Sequence, residues 1–161
     1  MTWTVREART TDATALGHVH VACWREAYRD LLSAEFLSRL DPVARGEGWM
    51  RQLSTARPDE SVFVLESGGD LRGFASSGRP HDEDPPRERA LYTLYVRASE
   101  YGSGAGQALF DAVLGDVPAS LWVAEDNPRA TAFYRRNGFE FDGVSKQGPR
   151  SERLVELRMV R

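Results

Sequence analysis

Gly102-Ser103-Gly104-Ala105-Gly106 follows an apolar run, Ala90-Leu-Tyr-Thr-Leu-Tyr-Val96, and leads into a stretch of helical character reaching about Leu114. Successive glycines let backbone N–H groups crowd around an anion, and the positive end of a helix dipole favours negative charge there. The chemistry suggested is phosphate or pyrophosphate binding, although a tight turn packing a helix on a sheet uses the same residues. Two phosphate schemes fit poorly. A P-loop requires Gly-Lys-Ser/Thr, and Gly104 is followed by Ala105, Gly106 and Gln107. A dinucleotide fingerprint wants a third glycine at position 107 and a second nucleotide-binding half, for which the 55 residues after Gly106 are too few. Glu125 and Asp126, about 20 residues past the turn, are all that favour it.

A second cluster is Asn127-Pro-Arg-Ala130-Thr-Ala-Phe133-Tyr134-Arg-Arg-Asn-Gly138-Phe139. It closely resembles the Asn-x-x-Ala-x-x-Phe-Tyr-x-x-x-Gly-Phe pattern of the GNAT N-acetyltransferases, at six positions in fixed spacing. The glycine turn resembles the same family's pyrophosphate motif, Arg/Gln-x-x-Gly-x-Gly/Ala, with Tyr101 standing where Arg or Gln is usual. The segment from Val19 to Leu32, carrying Trp24 and Tyr28, is similar to the first helix of many members without an assigned substrate. The resemblance therefore covers nearly the whole chain.

The resemblance implies an α/β fold: a mixed central sheet of six to seven strands, splayed at the acyl-coenzyme A site and flanked by about four helices, as one domain over residues 1–161. It implies acetyl-CoA as donor and a primary amine of a small, cationic molecule or of a peptide as acceptor. The pantetheine arm is expected to pair with the strand edge at Leu94, Tyr95 and Val96. The pyrophosphate is expected on Gly102, Ser103, Gly104, Ala105, Gly106 and Gln107, beside Tyr101. Asn127 is expected to contact the coenzyme or to cap the following helix. Tyr134, also a coenzyme contact, matches the general acid that protonates the departing thiolate. By residue type alone it equally suits core packing beside Ala130, Phe133 and Phe139.

No general base is assigned. Many members carry glutamate at the start of the coenzyme strand, and here that position is Ala90. Ordered water is preferred over Glu88, Glu26, His20 and His81. On the acceptor side, His20, Trp24 and Tyr28 recur at i, i+4 along one helix edge; they offer either a cation–π surface for an amine or rim-of-core packing. Asp82, Glu83 and Asp84 either steer a cationic substrate or form a solvated loop. A non-catalytic acyl-CoA-binding module and a dinucleotide-binding module are the alternatives to an enzyme of this kind.

Around these residues the chain reads as an ordinary globular domain: 161 residues, 41% hydrophobic and 28% charged. Its net charge of −3 gives no basic footprint for nucleic acid. A single cysteine, Cys23, excludes an internal disulfide, and no Cys/His cluster has metal-ligand spacing. With no long apolar run and no signal-like N-terminus, a cytoplasmic protein without membrane contact is expected. Relatives are often homodimers. Periodicity predicts strands near Thr4–Arg9, Ser61–Glu66, Leu71–Ser76, Ala90–Val96, Leu121–Ala124, Phe139–Asp142 and Leu154–Val160. Helices are expected over Ala13–Leu31, Ala34–Leu53 with a break at Asp41-Pro42, Ala105–Leu114 and Pro128–Arg136.

Overall fold

The computed structural model describes residues 2–55, 57–147 and 154–161. Strands β1 (Thr4–Glu7), β2 (Ser61–Ser67), β3 (Asp70–Gly78), β4 (Ala90–Val96), β5 (Ser120–Ala124), β6 (Glu140–Gln147) and β7 (Val155–Val160) form one sheet in the order β1-β2-β3-β4-β5-β7-β6. Helices α1 (Ala13–Ala27), α2 (Ala34–Ser38), α3 (Pro42–Ser54), α4 (Ala105–Val113) and α5 (Pro128–Arg136) flank it. No helix among the described residues is long and apolar enough to cross a membrane.

Two helical expectations need adjusting, and both adjustments trace to capping. At the expected break the chain starts a new helix, because Asp41 accepts from the Val43 amide and Pro42 fills a position that needs no donor. Upstream, α1 stops at Ala27 instead of Leu31, and Ser33 redirects the chain by accepting from the Phe36 amide to open α2. Strand β6 runs past the expected Asp142 to Gln147. Every residue in it is exposed, so it carries no apolar alternation from which its length could be read.

The β4–β5 pair is parallel and holds only through Ala90 with Ser120 and Leu91 with Leu121. On the other edge of β4 the register slips: Ser76 faces Thr93 and Ser77 faces Leu91, which leaves Tyr92 as an extra residue. A bulge bends its own strand and increases the local twist. Here it falls beside the last paired residue, and beyond Leu91 the two strands part.

Both sheet faces are covered. Under α4 and α5 lie Leu65, Leu109, Phe110, Leu121, Phe139 and Met159, and under α1 and α3 lie Leu16, Cys23, Trp49, Val64 and Phe74. Helices α1 and α3 touch backbone to backbone. A Cβ on Gly17 would come within 2.2 Å of the Pro42 carbonyl oxygen, so only glycine fits there. This close approach fixes α3 beside α1 on the same face of the sheet.

Candidate active site

A cavity of about 580 Å³ opens at the parting of β4 and β5. Leu94, Tyr95 and Val96 line one wall, Val123 and Ala124 the other, and Asn127 and Tyr134 close it from α5. Past Leu91, β4 has no partner on its β5 side among the described residues, so the strand edge there faces the cavity. The turn before α4 lines the same cavity with Tyr101, Gly102, Gly104, Gly106 and Gln107.

The turn is shaped by two left-handed residues, Gly102 at φ 76° and Gly104 at φ 87°. Its amides are not equivalent. The Ser103 N–H is used on the Glu100 carbonyl and the Ala105 N–H on the Ser103 hydroxyl. The amides of Gly104, Gly106 and Gln107 have no acceptor among the described residues and stand at the positive end of α4. Ser103 and Ala105 thus brace the turn with their amides. The Gln107 side chain is engaged elsewhere, donating to Asp111 at 2.9 Å and to Asn137 at 2.8 Å.

Tyr101 occupies the place of the usual Arg or Gln, yet the cavity rim still carries a guanidinium. Arg129, in the first turn of α5, lies over the Tyr101 ring with its guanidinium carbon 3.2 Å from the centroid. Sequence reading missed Arg129 because the two residues meet only when α5 folds back over the glycine turn. Asn127 accepts from the Ala130 amide at 3.2 Å as the α5 cap, and its residue also borders the cavity.

Tyr134 is buried, packed edge-on between Phe133 and Phe139. Burial pushes its phenol well above the ordinary tyrosine range, with Tyr28 adding in the same direction, so it keeps its proton at any neutral pH. Tyr28 lines the same cavity and shares a 2.8 Å hydrogen bond with Tyr95. Trp24 lies one turn back and packs on Tyr28 at 4.7 Å, but it lines neither this cavity nor the second one.

The second cavity, of about 670 Å³, lies between α3 and the sheet. Leu91, Tyr92, Thr93 and Trp122 line both cavities, so the two meet where β4 leaves β5. Most of the base candidates are committed. Glu26 is held by Arg97 at 2.9 Å and by the Ala98 amide at 2.7 Å. His20 is buried and accepts from the Trp49 indole at 3.0 Å; burial, then the nearby Arg45 charge, drives its pKa down to about 3. His81 stacks on Tyr92 at the rim, and Glu88 is exposed and borders neither cavity. Asp82 accepts from Trp122 at 3.2 Å and from Arg158 at 2.9 Å, and Arg158 also holds Asp142. Burial works to raise the Asp82 carboxyl, but these two donors bring it below the usual carboxylate range. Asp82 is therefore a structural anchor; Glu83 and Asp84 lie exposed beside it.

The sequence profile of the Acetyltransferase (GNAT) family matches residues 18–139. The uncharacterized N-acetyltransferase YuaI of Bacillus subtilis is 30% identical over 156 residues, covering 88% of this chain and 87% of its own. Among solved structures, an acetyltransferase from Thermus thermophilus is 25% identical with a TM-score of 0.69, covering 100% of this chain and 97% of its own. The PaiA N-acetyltransferase of Thermoplasma acidophilum, solved in complex with coenzyme A, superposes with a TM-score of 0.74 at 16% identity and 98% coverage of each chain. With this profile matched over residues 18–139 and relatives of this kind covering most of its length, the chain belongs to the acetyltransferase (GNAT) family.

Proposed function

We propose that this chain is a single-domain, cytoplasmic enzyme that moves the acetyl group of acetyl-CoA directly to a primary amine of a small molecule or peptide, with Tyr134 as general acid. The observation that carries this reading is the meeting of two cavities at the β4–β5 parting, with the Tyr134 phenol in the wall of the first. The residues present suit the donor. Free amides of Gly104, Gly106 and Gln107, with Arg129 beside them, suit a pyrophosphate. The unpaired stretch of β4 suits an arm that hydrogen-bonds as an added strand. The coenzyme A bound to the Thermoplasma relative supports the same donor here.

Acetyl-CoA supplies an activated acyl thioester, and the protein's contribution is mainly to position it beside the amine. Tyr134 holds a proton in a buried wall of the cavity, where it is available to a departing thiolate. Direct transfer is favoured over an acyl-enzyme route. The single cysteine, Cys23, is buried, and burial, then the Glu26 charge, pushes its thiol up to about 12, so it offers no thiolate nucleophile. Transfer of labelled acetyl from acetyl-CoA to a panel of primary amines tests the proposal. An acetylated amine is expected from the wild-type chain; coenzyme binding with no acetylated product would refute it.

A further inference from the structure

One carboxylate in the second cavity has no role so far. Glu156, on β7, lines that cavity, and no hydrogen bond or ion pair holds it among the described residues. The other cavity-lining acids are engaged: Asp82 by Arg158 and Trp122, and Glu60 by Arg57. Register explains where Glu156 looks. It faces Ala124 across the β5–β7 ladder, one strand spacing of about 4.8 Å away. Ala124 lines the first cavity and ends in a methyl group, so it does not screen Glu156 from the parting. The phenols of Tyr28 and Tyr95 both feel the Glu156 charge, which puts the carboxylate near the wall between the two cavities.

Resting on the transfer reading above, we propose that Glu156 receives the acceptor's ammonium group in the second cavity and takes its proton, with Trp122 as the aromatic wall beside it. An ammonium must lose two protons to become an amide nitrogen. Glu156 takes the first and passes it to water. The freed lone pair forms the C–N bond as the C–S bond breaks; Tyr134 gives its proton to the thiolate, and the second proton leaving the nitrogen returns through water to the Tyr134 phenolate, so the sum is amide, free thiol and one released proton.

The surroundings say which amines fit. Lys146, the Cα partner of Glu156 on β6, sets its ammonium 4.1 Å over the Trp122 ring, so this wall already hosts a primary ammonium. Its backbone stands one strand further from the parting than Glu156, and its side chain reaches back to Trp122. Arg45 and Arg51 add positive charge on the α3 side. A cavity with one uncommitted carboxylate at its inner end and a cationic rim suits an amine whose far end is neutral or anionic, and repels a diamine.

The test uses n-butylamine, 4-aminobutanoate and putrescine, which share a four-carbon chain and differ at the far end. In the wild-type chain, n-butylamine and 4-aminobutanoate should show lower KM than putrescine; the reverse order would overturn the role of the rim. Glu156→Gln should lower kcat/KM by about 100-fold with n-butylamine and erase the acid limb of its pH profile, while Glu156→Asp restores part of the rate. Burial raises the Glu156 carboxyl and Lys146 opposes it, so in the wild type that limb lies above the ordinary carboxylate pKa. The tyrosines facing it from α1 and β4 stay protonated there and His20 stays neutral; Arg45, Arg51, His81, Asp82, Lys146 and the Arg158 that holds Asp82 are the other charged or titratable groups around it. Without coenzyme, n-butylammonium should shift the NMR resonances of Glu156 in the wild type where n-butanol does not. If the wild type transfers acetyl and Glu156→Gln keeps its rate and pH profile, the assignment is wrong while the transfer reading stands. If no amine is turned over although coenzyme A binds, both fall.

Discussion

The phenols of Tyr28 and Tyr95 meet at 2.8 Å, joining the end of α1 to β4 just where β4 has left β5. Both are buried enough that burial, the first cause in each case, raises their pKa, so the bond is between two neutral hydroxyls. A buried neutral hydrogen bond contributes about 1 kcal/mol net, and a stranded partner costs a similar amount. Tyr28→Phe and Tyr95→Phe should each lower stability by about 1 kcal/mol in urea titration. The double variant should cost less than the two together, because the second substitution removes a group already unpaired. Full additivity would mean that the two hydroxyls do not act as a pair.

Tyr134→Phe removes the proton and keeps the ring between Phe133 and Phe139. Turnover number should fall by about 100-fold, while the coenzyme A dissociation constant measured by calorimetry stays within about twofold. An unchanged turnover number would leave Tyr134 as core packing.

The glycine turn and Arg129 should contribute to coenzyme binding through different physics. An alanine at position 104 meets no atom within 4 Å, so its penalty is the left-handed backbone alone, about 1 kcal/mol. Gly104→Ala should therefore weaken coenzyme A several-fold by tilting the amides away from their anion. Arg129→Gln should weaken it by about tenfold and flatten the dependence of affinity on salt, because an ionic contact has been lost. A salt dependence that persists in Arg129→Gln would assign the phosphate charge to another residue.

His20 makes stability depend on pH in a definite direction. Its folded pKa, about 3, lies below the ordinary value of 6.5, so the folded state binds fewer protons than the unfolded one. Its contribution is complete above about pH 6.5 and is lost as pH falls from there toward 3, at up to about 1.4 kcal/mol per pH unit. Thermal melts at pH 7 and pH 4.5 should show this loss. His20→Gln can still accept from Trp49 and carries no charge, so its melting point should fall less over the same interval; an equal fall would place the acid sensitivity elsewhere, with Asp12 and Arg6 the next pair to examine.

What the sequence revealed divides along physical lines. Local signals sufficed for α5, where Asn127 caps and Pro128 starts the helix, and for the glycine turn, whose backbone needs are written in residue type. The helix edge His20, Trp24, Tyr28 was legible as an aromatic stripe, and all three rings pack on Tyr95, but they meet different spaces: His20, bonded to Trp49, lines the second cavity, Tyr28 lines the first, and Trp24 lines neither. Long-range pairings were silent. Nothing at Asp82 announces Arg158, 76 positions away, so an acidic loop expected either to steer substrate or to stand solvated is partly an internal ion pair. Glu156 was equally hidden, since a charged residue in a short final strand reads as solvent-facing until the ladder sets it opposite Ala124. Its alternation with Arg158 in Val155–Val160 was the available signal, because both then share the face of Trp122.

The most direct test of the central claim is to follow free thiol and amide together in the full chain supplied with acetyl-CoA and a primary amine. The account predicts amine-dependent thiol release matched one for one by acetylated amine, and its loss in Tyr134→Phe with coenzyme binding retained. Tight coenzyme A binding with no thiol released by any primary amine would contradict it, and would make the chain an acyl-CoA-binding module.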